Sequence, residues 1–218
     1  MKKAHGLCCI LLGAILLIAA LSLVLYNTNE NKESGEVANN ILSELKIEMP
    51  ETTTATTVTT LENDLFVYYA QFETTTVPVI EEPKKEIDGN IYIGIIEIPA
   101  LQLELPVMSE WSYPNLKLSP CRYKGTVAER NIIIAAHNYN SHFGRLKELY
   151  GGEDIIFTDT NGYPHYYEVS QITEINGRDI ESMDFGSADT WDLTLFTCTL
   201  SGQSRVTVRA VEKDINFN

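Results

Sequence analysis

The chain is 218 residues long, room for one domain of ordinary size with extensions. It carries 30 acidic against 16 basic residues, a formal net charge of −14. This balance argues against a nucleic-acid partner, which needs basic surface to displace counterions, and disfavours an anionic polymer except through a local basic groove.

The first element is a membrane segment. Lys2 and Lys3 precede "LCCILLGAILLIAALSLVL", residues 7–25, which holds no charge. At about 1.5 Å per helical residue the run matches a hydrocarbon core of ~30 Å. Lysines before it and an acidic chain after it predict a single pass with the N-terminus cytoplasmic. Ala20-Leu21-Ser22 offers a small-x-small cleavage site, but the apolar run is long for a signal peptide and continues past it. Residues 1–26 therefore read as a cytoplasmic tip and uncleaved anchor, with Cys8 and Cys9 as small apolar residues inside it. Everything after Tyr26 reads as extracellular.

Residues 27–88 read as a stalk. "TTTATTVTT" (52–60) and "TTTVPVIEEPKKE" (74–86) are threonine- and proline-rich with few large apolar residues. "NILSELKIEM" (40–49) predicts a short helix, and "LFVYYAQF" (65–72) a strand-like interruption.

Residues 89–218 read as the folded unit. "IYIGIIEIP" (91–99) and "LQLELPVM" (101–108) are strands punctuated by Pro99 and Pro106, and "NIIIAA" (131–136) is apolar on both faces, hence a buried strand. "FGRLKELY" (143–150) has Leu146, Leu149 and Tyr150 at helical spacing and ends at Gly151-Gly152, predicting a short helix. Residues 154–175 form a hairpin about Asn161-Gly162, and "WDLTLFTC" (191–198) pairs with "SRVTVRAVE" (204–212). Seven or more short strands with one clear helix predict an all-β domain, a closed or nearly closed barrel or, failing that, a sandwich.

Alternation in residues 193–198 places Leu193, Leu195 and Thr197 on one face and Thr194, Phe196 and Cys198 on the other. The first set is the more apolar, so Cys198 sits on the groove face at a strand end. Across the turn "TLSGQS", Arg205, Thr207 and Arg209 form the polar face of the next strand, which brings Arg205 beside Cys198. A guanidinium there can lower a thiol pKa or hold a carbonyl oxygen. A cysteine nucleophile also needs a proton carrier, since only a few per cent of a thiol with a pKa of ~8.5 is ionised at pH 7. His137, at the end of a rigid strand, is the candidate. His142 reads as a capping or surface residue of the short helix and His165 as a hairpin surface residue. A competing reading makes the domain an inert stalked β-module with a Cys121–Cys198 disulfide.

"TLFTC" with Arg205 downstream, "AAHN" upstream, and the flanking "SPCRYKGT" and "HFGRLKEL" together resemble the sortase family over residues 89–218. The resemblance implies a closed β-barrel of seven to eight strands with one or two short helices. It also implies a cysteine transpeptidase of Gram-positive cell surfaces. Its nucleophile would be Cys198, its general acid/base His137, and its substrate-positioning and oxyanion-stabilising cation Arg205. Thr197 and Asn138 would be supporting substrate or oxyanion contacts. The implied substrates are secreted proteins bearing a C-terminal Leu-Pro-x-Thr-Gly-like signal, and the implied acceptor an amine of a peptidoglycan precursor or pilin lysine. No metal or cofactor is implied. Ala136 stands where the family usually has Gly, and no Asp-Pro-aromatic lid motif precedes the barrel, which weighs against the pilin-polymerising class. "HNYNSHFGRL" is more similar to class B or class D than to class A. The order His, Cys, Arg does not fit a papain-like enzyme, and nothing around Cys198 resembles the Ser-x-Gly-Cys motif of an L,D-transpeptidase-like one.

Overall fold

Strands account for most of the domain's regular secondary structure, in line with its β-branched and alternating segments. The computed structural model describes residues 2–50, 82–184 and 190–213, with backbone alone for 2–9 and 184. The threonine run at 52–60, the apolar run at 65–72 and most of 74–86 lie outside the described residues. In chain order the strands are β1 (Lys85–Ile87), β2 (Asn90–Ile98), β3 (Leu103–Met108), β4 (Cys121–Lys124), β5 (Ile132–Ala135), β6 (Asp154–Asp159), β7 (Pro164–Asn176), β8 (Leu193–Cys198) and β9 (Ser204–Glu212). They form one sheet in the order β1-β2-β3-β4-β5-β8-β9-β7-β6, and β6 returns to pair with β2. β2 to β9 thus close into an eight-stranded barrel, with β1 paired outside against β2. Closure leaves these eight strands no open edge, which removes a route to aggregation.

Alternation sorts the side chains as period two requires. Ile93, Ile96, Ile98, Ile132, Ile134, Leu193, Leu195, Val208 and Ala210 fill the barrel. Tyr92, Ile95, Met108, Cys121 and Ala135 form a second cluster on the outer face. Helix α1 (Lys2–Glu48) covers that outer face with Ile41, Leu42 and Leu45. Ile132 to Ala136 are all buried, so "NIIIAA" is apolar on both sides.

Here the structure departs from the expected stalk. α1 does not stop near residue 26 with a separate short helix at 40–49; it runs unbroken to Glu48. Its first half is long and apolar enough to cross a membrane, and Ile10, Leu17 and Leu23 are exposed there. Its second half buries a stripe of Ser34, Ala38, Ile41, Leu42 and Leu45 against the barrel. The stripe has helical spacing, but its first members are small or polar and carry little periodic signal.

Three further differences concern local structure. The predicted helix at 143–150 is a set of tight turns with a single 3-10 turn at Leu146–Glu148, and Tyr150 is exposed. Two short helices arise elsewhere, α2 (Tyr113–Leu118) and α3 (Ile180–Asp184). Thr207 and Arg209, expected on an open polar face, are buried. Arg209 donates to the Ser182 carbonyl at 2.7 Å and lies 4.5 Å over the Trp191 ring. Burial draws its pKa down to about 10.

Leu45→Ala removes a fully buried side chain at the helix–barrel contact. It should lower stability by about 2–5 kcal/mol, read as a reduced denaturation midpoint of the detergent-solubilised chain. Ile47→Ala, at an 83 % exposed position, should be near neutral.

Candidate active site

Strand register builds the site. β5 and β8 are parallel, with Ala135 opposite Phe196. The Ala136 N–H continues that pairing by donating to the Phe196 carbonyl at 3.2 Å. Extending the same offset past the end of β5 sets His137 level with Cys198. β8 and β9 are antiparallel, with Cys198 directly opposite Arg205. Thr199 and Ser204 make the ladder hydrogen bond at 2.9 Å, so the next pair, Cys198 and Arg205, is the closer, non-hydrogen-bonded type, with Cα atoms about 4.5 Å apart. Three neighbouring strand ends therefore present His137, Cys198 and Arg205 in a row.

All three line one cavity of about 280 Å³. Its walls include Trp111, Tyr113, Tyr123, Phe196, Ile180 and Met183. The aromatic wall is a continuous run of ring contacts: Trp111 to Tyr113 at 5.2 Å, Trp111 to Tyr123 at 6.1 Å, and Tyr123 edge-on to Phe196 at 5.4 Å. A mostly apolar cleft with a few polar groups is the usual form of a site for an extended organic ligand. Sequence reasoning missed this wall and α3. The exposed aromatics of "SEWSYPN" were the only signal available for it.

Cys198 is half-buried and carries a free thiol. Cys121 is also free, so the alternative with a Cys121–Cys198 disulfide is overturned. The reason is topological. Cys121 pairs with Ala135 and Ala135 with Phe196, which puts β5 between the cysteine strands. Two ladder spacings are about 10 Å, beyond the ~7 Å Cα reach of a disulfide. Cys121 is sealed in the outer cluster, where burial pushes its pKa up to about 12.

Arg205 is held at the hairpin. Its Nη1 donates to the carbonyls of Gly202 and Ser204, both at 3.0 Å. Gly177 packs against it: a Cβ there would stand 2.9 Å from Nη1 and 2.9 Å from the Gln203 carbonyl oxygen. Among the described residues, its other guanidinium N–H groups make no hydrogen bond.

The histidines separate cleanly. His137 faces the cavity, and burial holds its pKa below the usual imidazole value; Lys117 adds to that effect and Glu30 opposes it. His142, expected on the surface, is fully buried. The one hydroxyl proton of Ser34 goes to the Lys117 carbonyl at 2.6 Å, so His142 Nε2, 3.1 Å from the same oxygen, must be the donor. Burial and His137 draw the His142 pKa down to about 4, so at neutral pH the ring is an uncharged imidazole with its proton on Nε2. Tyr139 lies against both rings, 4.9 Å from His137 and 5.7 Å from His142. His165 is on the barrel wall beside Glu212 at 3.4 Å, away from this cavity. Thr197 turns inward and donates to the Ala136 carbonyl at 2.8 Å, tying β8 to the end of β5. Neither Thr197 nor Asn138 is among the cavity-lining residues.

A family model for the sortase domain matches residues 96–213. Sortase A of Bacillus anthracis is 28 % identical over 123 residues, covering 54 % of this chain. The chain spans only 57 % of that relative's length. Among solved structures, the Clostridium perfringens sortase D5 transpeptidase superposes with a TM-score of 0.51 at 22 % identity, covering 56 % of this chain and 79 % of the other. Sortase C1 of Streptococcus agalactiae gives 0.52 at 22 % identity, covering 60 % and 72 %. These likenesses are of fold, and their near equality does not choose between the C and D types.

The two cysteines should differ sharply in the native protein. With iodoacetamide at pH 8, mass mapping should find Cys198 alkylated and Cys121 untouched, since a thiol of pKa about 12 is roughly one part in 10,000 ionised there. Both should react once the chain is denatured.

Proposed function

The chain belongs to the sortase family, and on that premise we propose that it is a membrane-anchored, extracellular cysteine transpeptidase. Residues 1–26 hold it in the membrane with the N-terminus cytoplasmic, and the barrel works outside. Its substrates are secreted proteins carrying a sorting signal like Leu-Pro-x-Thr-Gly. The product is joined to an amine of a peptidoglycan precursor or a pilin lysine. The observation that carries this reading is the row of His137, Cys198 and Arg205 at three adjacent strand ends on one apolar cleft.

The chemistry follows from what each group can do. The Cys198 thiolate attacks the Thr–Gly carbonyl, and its sulfur replaces the glycine nitrogen in an acyl thioester. His137 gives a proton to the departing amine, then takes one from the incoming amine. A neutral imidazole at rest suits this role once the thiol proton has passed to it. Arg205, anchored through Nη1, steadies the carbonyl oxygen as charge develops. The apolar wall of Trp111, Tyr113 and Phe196 holds the peptide and limits water, which favours an amine over hydrolysis.

Incubating the purified chain with a sorting peptide should add the mass of the acyl fragment to Cys198, released by hydroxylamine or a glycine peptide. Cys198→Ala should give no adduct. His137→Ala should reduce turnover by roughly 10²–10⁴-fold, and Arg205→Ala by roughly 10²–10³-fold. Gly177→Ala, which crowds Arg205 without deleting it, should cost roughly 10–100-fold. Turnover retained in Cys198→Ala would rule the mechanism out.

A further inference from the structure

His137 stands at the start of the turn-rich loop 137–145, and nothing in β5 fixes where that loop goes. Inside the loop the His142 and Gly144 N–H groups both donate to the Tyr139 carbonyl at 2.9 Å, and Phe143 N–H to the His137 carbonyl at 3.2 Å. At its far end the loop is held by Phe143, buried in the barrel core, and by Arg145, which donates to the Leu101 carbonyl at 2.9 Å. Nearer His137, the ties run to one short stretch of α1. Tyr139 donates its hydroxyl to Glu30 at 3.0 Å. Ser141 N–H donates to the Asn31 side chain at 3.1 Å, and the Ser141 hydroxyl to the Asn31 carbonyl at 2.9 Å. His142 donates to Ser34, which in turn holds the Lys117 carbonyl of α2.

A glycine in the same stretch is otherwise unexplained. Gly35 sits inside a 47-residue helix, where glycine costs about 1 kcal/mol relative to alanine. A Cβ at that position would stand 2.9 Å from Ser141 Cβ and 3.4 Å from its hydroxyl. The helix accepts the penalty where the histidine loop presses on it.

We propose that Glu30, Asn31, Ser34 and Gly35 of α1 are positioning residues for His137, so that the helix leaving the membrane segment also completes the catalytic site. This rests on the transpeptidase reading above. Leu25, the last residue of the uncharged run, is five residues before Glu30, so the loop is tied to the helix about 7.5 Å beyond it. Substitutions here act through the loop on His137 and leave the cleft walls in place.

The charges around the ring give the proposal a signature beyond stability. Facing His137 are Glu30 of α1, Lys117 of α2, Tyr139 and His142 of its own loop, and Cys198 and Arg205 across the cavity, with Tyr113 and Asp179 on its far wall. Glu30 favours the imidazolium and Lys117 disfavours it. Glu30→Gln should therefore move the His137-dependent limb of the pH profile to lower pH, and Lys117→Gln should move it to higher pH.

The test uses the full-length chain in detergent or nanodiscs. Gly35→Ala strengthens the isolated helix, so a role confined to helix stability predicts a chain at least as active as wild type. Positioning predicts the reverse: kcat falls at least tenfold, KM for the peptide changes little, and helicity is unchanged. Asn31→Ala should act in the same direction without adding bulk. Cys198 alkylation rates measured against pH give the same comparison without any peptide. Absent peptide cleavage in wild type overturns the transpeptidase reading alone. Wild-type alkylation profiles in Gly35→Ala, Asn31→Ala and Glu30→Gln overturn this proposal.

Discussion

The site depends on strand register. β5 and β8 run parallel with Ala135 opposite Phe196, and β8 and β9 run antiparallel with Cys198 opposite Arg205. Those two alignments alone place an imidazole, a thiol and a guanidinium side by side. Side chains alternate with period two, so a slip of one residue in β8 would turn Cys198 into the core and Thr197 out to the cleft. The barrel guards against that slip, because Leu193 and Leu195 are fully buried on the same face as Thr197. Thr197 adds its bond to the Ala136 carbonyl, at the last residue before the histidine. Packing in the core and geometry at the site are one constraint seen from two sides of a strand.

A second layer surrounds this row. α1 seals the outer face of β2 to β5 with Ile41, Leu42 and Leu45, and its polar turn at residues 30–35 meets the loop after His137. The Nε2 proton of His142 is fixed by that contact, since Ser34 has only one proton to give and spends it on Lys117, while burial keeps the ring neutral. Of two histidines five residues apart, one is thereby committed to structure and the other left to titrate in the cavity. Cys121 and Cys198 divide in the same way, one locked in an apolar cluster and one at a strand end.

What could be read from the sequence was local. The β8–β9 hairpin, its inward and outward faces and the pairing of Cys198 with Arg205 follow from period two and a short Gly-containing turn. The buried strand "NIIIAA" and the hairpin at 154–175 were legible for similar reasons. A barrel was expected, but that β2 and β6 close it was not, because the pairing joins segments about 60 residues apart with no shared local signal. α1 beyond residue 26 was missed because its docking stripe opens with Ser34 and Ala38 beside Gly35, where close approach matters more than hydrophobicity. The aromatic wall was missed because Trp111, Tyr123 and Phe196 come from three separate segments. His142 misled because a histidine just before a turn reads as surface until the helix that buries it is known.

The central claim is that His137 and Cys198 share one site, and the most direct measurement is the titration of the histidine rings by NMR before and after Cys198 is blocked with a small alkylating reagent. The account predicts that blocking Cys198 shifts the His137 titration, while His142, with its pKa near 4, stays neutral through the physiological range in both forms. Identical His137 titrations in the free and blocked protein would contradict it.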